Sequence, residues 1–180
     1  KQMFVGFIGG FHGRTTGSLS FTASKPVQRR YFSPLMPSVA SVPYAYCYRC
    51  PETASANTCR ICCIDELTEY VAKRMVSPDK IAAVFVEPIQ GEGGYIVPPP
   101  EFHQELYRIA RKYNILYVTD EVQSGMGRTG KMFAMEHFGV APDIIALAKG
   151  IASGMPLGAT IARQEIMDWE AGSHASTFGG

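Results

Sequence analysis

The chain has 180 residues, is 46% hydrophobic and carries a formal net charge of +1. That length supports one core or part of a larger one, and the near-neutral balance lacks the basic face that nucleic-acid binding needs. No apolar run approaches the roughly 20 residues that span a bilayer, no secretory leader pattern opens the chain, and all five cysteines fall between Cys47 and Cys63, unlike a disulfide-stapled secreted domain; the expectation is a cytoplasmic protein without nucleic-acid or membrane partners.

The chain starts inside an apolar stretch, "KQMFVGFIGG", and stops in a glycine loop, "STFGG", so it reads as the central part of a larger domain. Met3–Ile8 has the pattern of a buried strand and runs into "GGFHGRT". The segment Pro26–Asn57, rich in Pro, Tyr and Ser, reads as a long irregular loop, and its cysteine-containing continuation carries it to residue 64. "DELTEYVAKRMV" (65–76) places Leu67, Tyr70, Val71 and Met75 on one helical face. Ile81–Glu87 is the next apolar strand. "PEFHQELYRIARKY" (100–113) opens with Pro and Glu, as a helix does, and lines up Phe102, Leu106, Ile109 and Ala110. Ile115–Thr119 and Ile144–Ala148 are further strands, and Gly158–Ala162 is a weaker one. His103 and His137 lie in polar surroundings and read as surface residues. Apolar strands alternating with amphipathic helices define an α/β domain with a mostly parallel sheet.

In such sheets ligands sit beyond the carboxyl ends of the strands. The residues that follow the strands are Phe11 and His12 after the first, Glu87 after "VFV", Asp120 and Gln123 in "TDEVQSG", and Lys149 in "LAKG". These are the candidates for one rim. A lysine at a buried strand end is poorly hydrated, which favours a nucleophilic amine of the kind Schiff-base chemistry uses; the alternative is a lysine whose stem packs and whose ammonium reaches water. Asp120 suits a helix cap, a magnesium ligand, or an acid facing a pyridinium nitrogen. The magnesium reading draws on "GMGRTGKM" (125–132), which has P-loop spacing. Met132 stands where that motif needs a hydroxyl, and the glycine loop comes after the acidic strand instead of before it. The pyridinium reading fits a larger set. Pyridoxal phosphate takes a Schiff-base lysine, an acid at the ring nitrogen and apolar cover on the ring, and Lys149, Asp120, Val122 and Phe11 or His12 supply these, with Gln123 within reach of the phenolic oxygen.

"FHGRTTGSLSFTAS", "VEPIQGEGG", "VTDEVQSGMGRTGKMFAMEHFGVAPDIIALAKGIASGMPLGA" and "HASTFGG" together resemble the class III aminotransferases, the group that includes 4-aminobutyrate, ornithine and acetylornithine aminotransferases. The resemblance runs from about Phe4 to Gly180 and implies a fold type I large domain that binds pyridoxal 5'-phosphate. It implies Lys149 as the Schiff-base lysine, Asp120 at the pyridine nitrogen, Val122 and Phe11 on the two ring faces with His12 beside Phe11, and Gln123 at the phenolic oxygen. It implies Thr177 at the cofactor phosphate across a homodimer interface, with active sites shared between subunits. Glu87 falls near the substrate and cofactor network. Glu92 matches a glutamate that in many members pairs with an arginine of a C-terminal domain. That domain and the phosphate-binding segment before "FHGRT" are not in this sequence, so the chain by itself is expected to show little turnover. Substrates implied are an amino acid or omega-amino acid donor and a 2-oxo acid acceptor. Racemases and aminomutases share the scaffold and remain an alternative, with a P-loop hydrolase a remote one.

"CYRCPETASANTCRICC" has paired C-x2-C spacing over Cys47, Cys50, Cys59 and Cys62, with Cys63 left over. This spacing admits a structural zinc site, or a non-catalytic interaction module built on one. It also admits reduced or disulfide-paired cysteines, the preferred reading, and transamination requires no metal there.

Overall fold

The computed structural model describes residues 1–50 and 62–174, and each apolar run expected as a strand forms one. The strands are β1 (Met3–Phe7), β2 (Val39–Val42), β3 (Ile81–Val86), β4 (Leu116–Asp120), β5 (Ile144–Leu147) and β6 (Ala159–Ala162). They make one sheet in the order β2-β1-β3-β4-β5-β6. The first five are parallel, and β6 runs antiparallel to β5.

The segment Pro26–Asn57 is not wholly irregular. It contains β2, which pairs on one side with β1, from Phe4 opposite Val39 to Phe7 opposite Val42. As an edge strand of four residues with a single fully buried side chain, Val42, it has too little apolar alternation to stand out from its Pro- and Ser-rich neighbours.

Helix α1 (Thr16–Phe21) follows β1. Helix α2 (Cys62–Asp65) continues as a wider π-helical winding over Glu66–Met75. Of the face expected there, Leu67 is buried; the side chains of Tyr70, Val71 and Met75 lie outside the described residues. Helix α3 (Pro100–Lys112) has Pro100 and Glu101 in its first turn and Arg111 and Lys112 in its last. That arrangement suits the fixed φ of proline and the charge at each end of the macrodipole. Phe102, Leu106, Ile109 and Ala110 are buried as the spacing predicts.

The strand period of two divides β1 between two layers. Phe7 faces α3, with its ring 5.6 Å from Phe102 and 5.8 Å from Tyr44. Phe4 faces the other way, 5.8 Å from Phe21 of α1 and 6.0 Å from Phe85 of β3. Edge-to-face pairs of this kind add about 0.5–1.5 kcal/mol each beyond area burial. Helices on both faces and parallel strands at the centre put the ends of β1, β3, β4 and β5 on one rim. Strand order reverses between β1 and β3, the place where doubly wound sheets leave a crevice.

Candidate active site

Asp120 is the last residue of β4, and its carboxylate is already engaged. Oδ2 lies 2.8 Å from Nδ1 of His12, and Oδ1 accepts the Val122 N–H at 3.0 Å. Because an ionised carboxylate only accepts, His12 donates from Nδ1. The pair is largely buried, with side chains 6% and 12% exposed. The His12 N–H donates to Thr22 Oγ1 at 2.9 Å, which pins the "FHG" turn against the end of α1. His12 Nε2 is buried and has no hydrogen-bond partner among the described residues. The strand-end acid therefore meets a histidine 108 residues away in sequence, and two of its roughly four acceptor positions remain for a ligand.

Glu87 follows β3 and bridges the switch point. Its Oε1 accepts the Phe11 N–H at 2.8 Å and its Oε2 accepts the Gly91 N–H at 2.9 Å. Burial pushes its pKa up from the usual carboxylate range, and the Gly91 and Phe11 amides partly oppose that. Gly91 has no room for a side chain: a Cβ there would lie 2.5 Å from Gln123 Oε1. Gln123 Oε1 in turn accepts from Lys149 Nζ at 3.3 Å. Glu87, Gly91, Gln123 and Lys149 thus form a continuous line along the rim.

Lys149 is not a buried strand-end amine; of the two alternatives its sequence context allows, it takes the one in which the ammonium reaches water. β5 ends at Leu147, and Lys149 lies two residues on, in a 3-10 turn with φ of +48°. The left-handed backbone, unfavourable by about 1–2 kcal/mol for a non-glycine residue, turns the side chain off the sheet into an open cleft, where it is exposed. Strain of this order is characteristic of functional positions. The cleft holds about 720 Å³, and Val122, Gln123, Glu92, Arg128, Thr129 and Lys149 are among its lining residues. Phe11, His12 and Asp120 do not line it. Phe11 is half-buried, with the Arg14 guanidinium 5.5 Å from its ring centre. Glu92 pairs with Lys25 at 3.1 Å, both groups about half-exposed, so this chain already offers Glu92 a cation. An exposed pair of this kind contributes about 0–1 kcal/mol and is easily exchanged.

Thr177 and Cys59 lie outside the described residues, as does the side chain of Cys62. Cys47 is disulfide-bonded, so a zinc thiolate at Cys47 first requires reduction. Among the described residues no three His, Cys, Asp or Glu side chains converge as metal ligands. His137 is exposed, as expected. His103 is not: it is fully buried, because it shares the α3 face of Leu106 and Ala110 and finds partners for both ring nitrogens.

Glu121, next to Asp120, is a residue whose role the sequence reading left open. It does not line the cleft and is 1% exposed. Its carboxylate accepts Ser124 Oγ at 2.6 Å, Met135 N–H at 2.9 Å and Ala134 N–H at 3.1 Å. It closes the loop 121–133 onto the 3-10 turn Ala134–His137, and so holds Gln123 in place from behind. The sequence signal was the period of two, which sends adjacent residues to opposite sides. Glu121→Ala strands two buried amides and a hydroxyl, and is expected to cost about 3 kcal/mol on the scale of unsatisfied buried donors. Urea unfolding checks this as a lower midpoint at unchanged slope.

A lysine amine and a histidine-held carboxylate stand on the rim of a mostly parallel α/β sheet beside its switch point, the architecture of fold type I transferases. Comparison with known proteins narrows this: the profile of the family "Aminotransferase class-III" matches residues 1–180, and the chain belongs to that family. It is 46% identical over 179 residues to an alanine/serine racemase of Pyrococcus horikoshii, covering 96% of this chain and 37% of that protein. It is also 46% identical over 178 residues to an acetylornithine aminotransferase of Methanopyrus kandleri, covering 98% and 40%. Against a probable 4-aminobutyrate aminotransferase of Bacillus subtilis it is 37% identical over 181 residues, covering 100% and 41%. Among solved structures, the PLP-bound amine transaminase of an uncultivated Pseudomonas species superposes with a TM-score of 0.84 at 36% identity, covering 92% of this chain and 37% of that one. The chain thus spans about two fifths of the length of these relatives.

Proposed function

We propose that this chain is the central part of the cofactor-binding domain of a pyridoxal-phosphate-dependent transaminase. The reaction moves an amino group from an amino acid or omega-amino acid, of 4-aminobutyrate or ornithine type, to a 2-oxo acid. The observation that carries the reading is the placement of Lys149 Nζ in the cleft on Gln123 Oε1, just beyond β5, the strand next to that of Asp120. The residues present suit the cofactor. Lys149 offers a solvent-accessible amine, Asp120 has acceptor capacity to spare, and the Gly91 backbone leaves the Gln123 amide its place beside Lys149.

When bound, the cofactor supplies an electron sink for a carbanion at the substrate carbon. Lys149 would hold it through its amine. With its amine free, Lys149 Nζ would take the proton from the substrate carbon as general base and return it as general acid. Asp120, oriented by His12 and the Val122 amide, would hold a proton on the ring nitrogen and stabilise charge that develops there. Val122 and Phe11 would cover the ring, and Gln123 would bind the phenolic oxygen. Glu87 fixes the Phe11 backbone, and Glu92 exchanges partners as substrates alternate. Thr177 binds the phosphate of a neighbouring subunit's cofactor in a cytoplasmic homodimer or larger assembly.

Borohydride reduction of the full-length protein with pyridoxal phosphate, followed by peptide mapping, is expected to label Lys149. A label on Lys112 or Lys131 instead would overturn the assignment. Donor assays with 4-aminobutyrate or ornithine and 2-oxoglutarate then read the reaction. The 46% identity to an alanine/serine racemase favours racemisation as the second reading, and loss of optical rotation from L-alanine without any 2-oxo acid acceptor would decide for it.

A further inference from the structure

Behind the candidate site, on the α3 side of the sheet, is a buried polar chain that the reaction does not itself use. His103 is fully buried, between Phe102, whose ring centre is 5.0 Å away, and Phe138 at 4.4 Å. Its Nε2 lies 2.9 Å from the Pro88 carbonyl oxygen and its Nδ1 lies 2.8 Å from the Tyr117 hydroxyl. A carbonyl oxygen only accepts, so Nε2 carries the hydrogen. Burial pulls the His103 pKa down to about 4, against the opposing pull of the Pro88 carbonyl, so the ring is neutral near pH 7. Nδ1 is then a lone pair and the Tyr117 hydroxyl is its donor. Tyr44 OH reaches the same corner, 3.0 Å from both the Glu87 and Pro88 carbonyl oxygens.

These contacts converge on the two residues where β3 ends. Pro88 has no N–H, so the corner is held through its carbonyls. The corner aims the Glu87 carboxylate at the Phe11 and Gly91 amides, and Gly91 abuts the Gln123 amide that accepts from Lys149. We propose that His103 is a positioning residue: by donating from Nε2 to the Pro88 carbonyl it fixes the Glu87–Gly91 corner, and through it the Phe11 backbone and the Gln123–Lys149 contact. The consequence for turnover rests on the transaminase reading; the positioning of the corner does not.

Two substitutions separate this role from packing. A Gln amide nitrogen takes the place of Nε2 and keeps the bond to Pro88, whereas an Asn side chain reaches only as far as Nδ1 and loses it. In the full-length protein without cofactor, His103→Asn is expected to speed hydrogen exchange of the Phe11 and Gly91 amides relative to those inside β3 and β4, and His103→Gln to leave them protected. In the holoenzyme, His103→Asn is expected to lower kcat/KM by about 10²-fold, the scale of a displaced catalytic constellation, and to change the visible circular dichroism of the bound cofactor; His103→Gln restores most of both. Tyr44→Phe, which leaves the aromatic packing intact, is expected to loosen the same two amides and stands in if His103→Asn does not fold. Equal protection of Phe11 and Gly91 in all three variants, or equal loss in His103→Asn and His103→Gln, overturns the proposal. A wild-type protein that neither binds pyridoxal phosphate nor transaminates or racemises sinks the functional reading instead, while the exchange measurement still decides the positioning role.

Discussion

Lys149→Ala is expected to lower turnover by about 10⁴-fold or more, the upper end of what a positioned general acid–base group contributes, and to leave pyridoxal phosphate bound only reversibly. Among the described residues that line the cleft, Lys149 carries the only primary amine; the other cation there is the Arg128 guanidinium, which does not deprotonate. No other described residue that lines the cleft can therefore both anchor the cofactor and carry the proton between carbons, and the nearby Lys25 amine is paired with Glu92. Lys149 is exposed and its hydrogen bond to Gln123 is long at 3.3 Å, so removing it leaves no buried group stranded, and stability should change by no more than an ordinary surface substitution. Steady-state kinetics, with gel filtration to follow cofactor retention, make the test. Near-normal turnover in Lys149→Ala, or cofactor that still resists gel filtration after denaturation, would refute the assignment.

How much of this was legible in the sequence follows from the distance over which each signal acts. The central strands could be read because a strand covered on both faces is apolar along its whole length, and the strand ends then named Glu87, Asp120 and Lys149 without any structure. β2 escaped because an edge strand is partly solvated. α1 escaped because six residues, "TGSLSF", are too few to show a helical period. His103 was readable and was misread: positions 103, 106 and 110 fall on one helical face, but a polar side chain among charged neighbours looked exposed until Pro88 and Tyr117 were seen to satisfy it. The pairing of His12 with Asp120, and of Glu92 with Lys25, joins residues far apart in the chain, and no local pattern encodes such contacts. Whether Lys149 is a buried amine or one that reaches water stayed open in the sequence, because what puts it in water is a left-handed backbone turn at a non-glycine residue, which sequence preference argues against.

Asp120→Asn is expected to lower kcat by about 10²- to 10³-fold, the loss seen when one preorganised electrostatic partner is removed from a reacting centre, while the fold and cofactor binding survive. The carboxylate now accepts from His12 Nδ1 and from the Val122 amide. An Asn side chain keeps one acceptor oxygen for Val122 and turns its NH2 toward His12. His12 can meet that donor by moving its hydrogen to Nε2, which is buried without a partner among the described residues in either case. The geometry therefore adapts at small cost, and what disappears is the negative charge that holds a proton on the ring nitrogen. His12→Asn makes the complementary change: it keeps the charge and removes only the ring that orients it, so its loss in kcat should be smaller than that of Asp120→Asn. The comparison is made at saturating substrate, with far-ultraviolet circular dichroism to show that both variants are folded. If Asp120→Asn turns over at close to the wild-type rate, the carboxylate serves only to hold His12 and Val122, and the electrostatic role assigned to it is wrong.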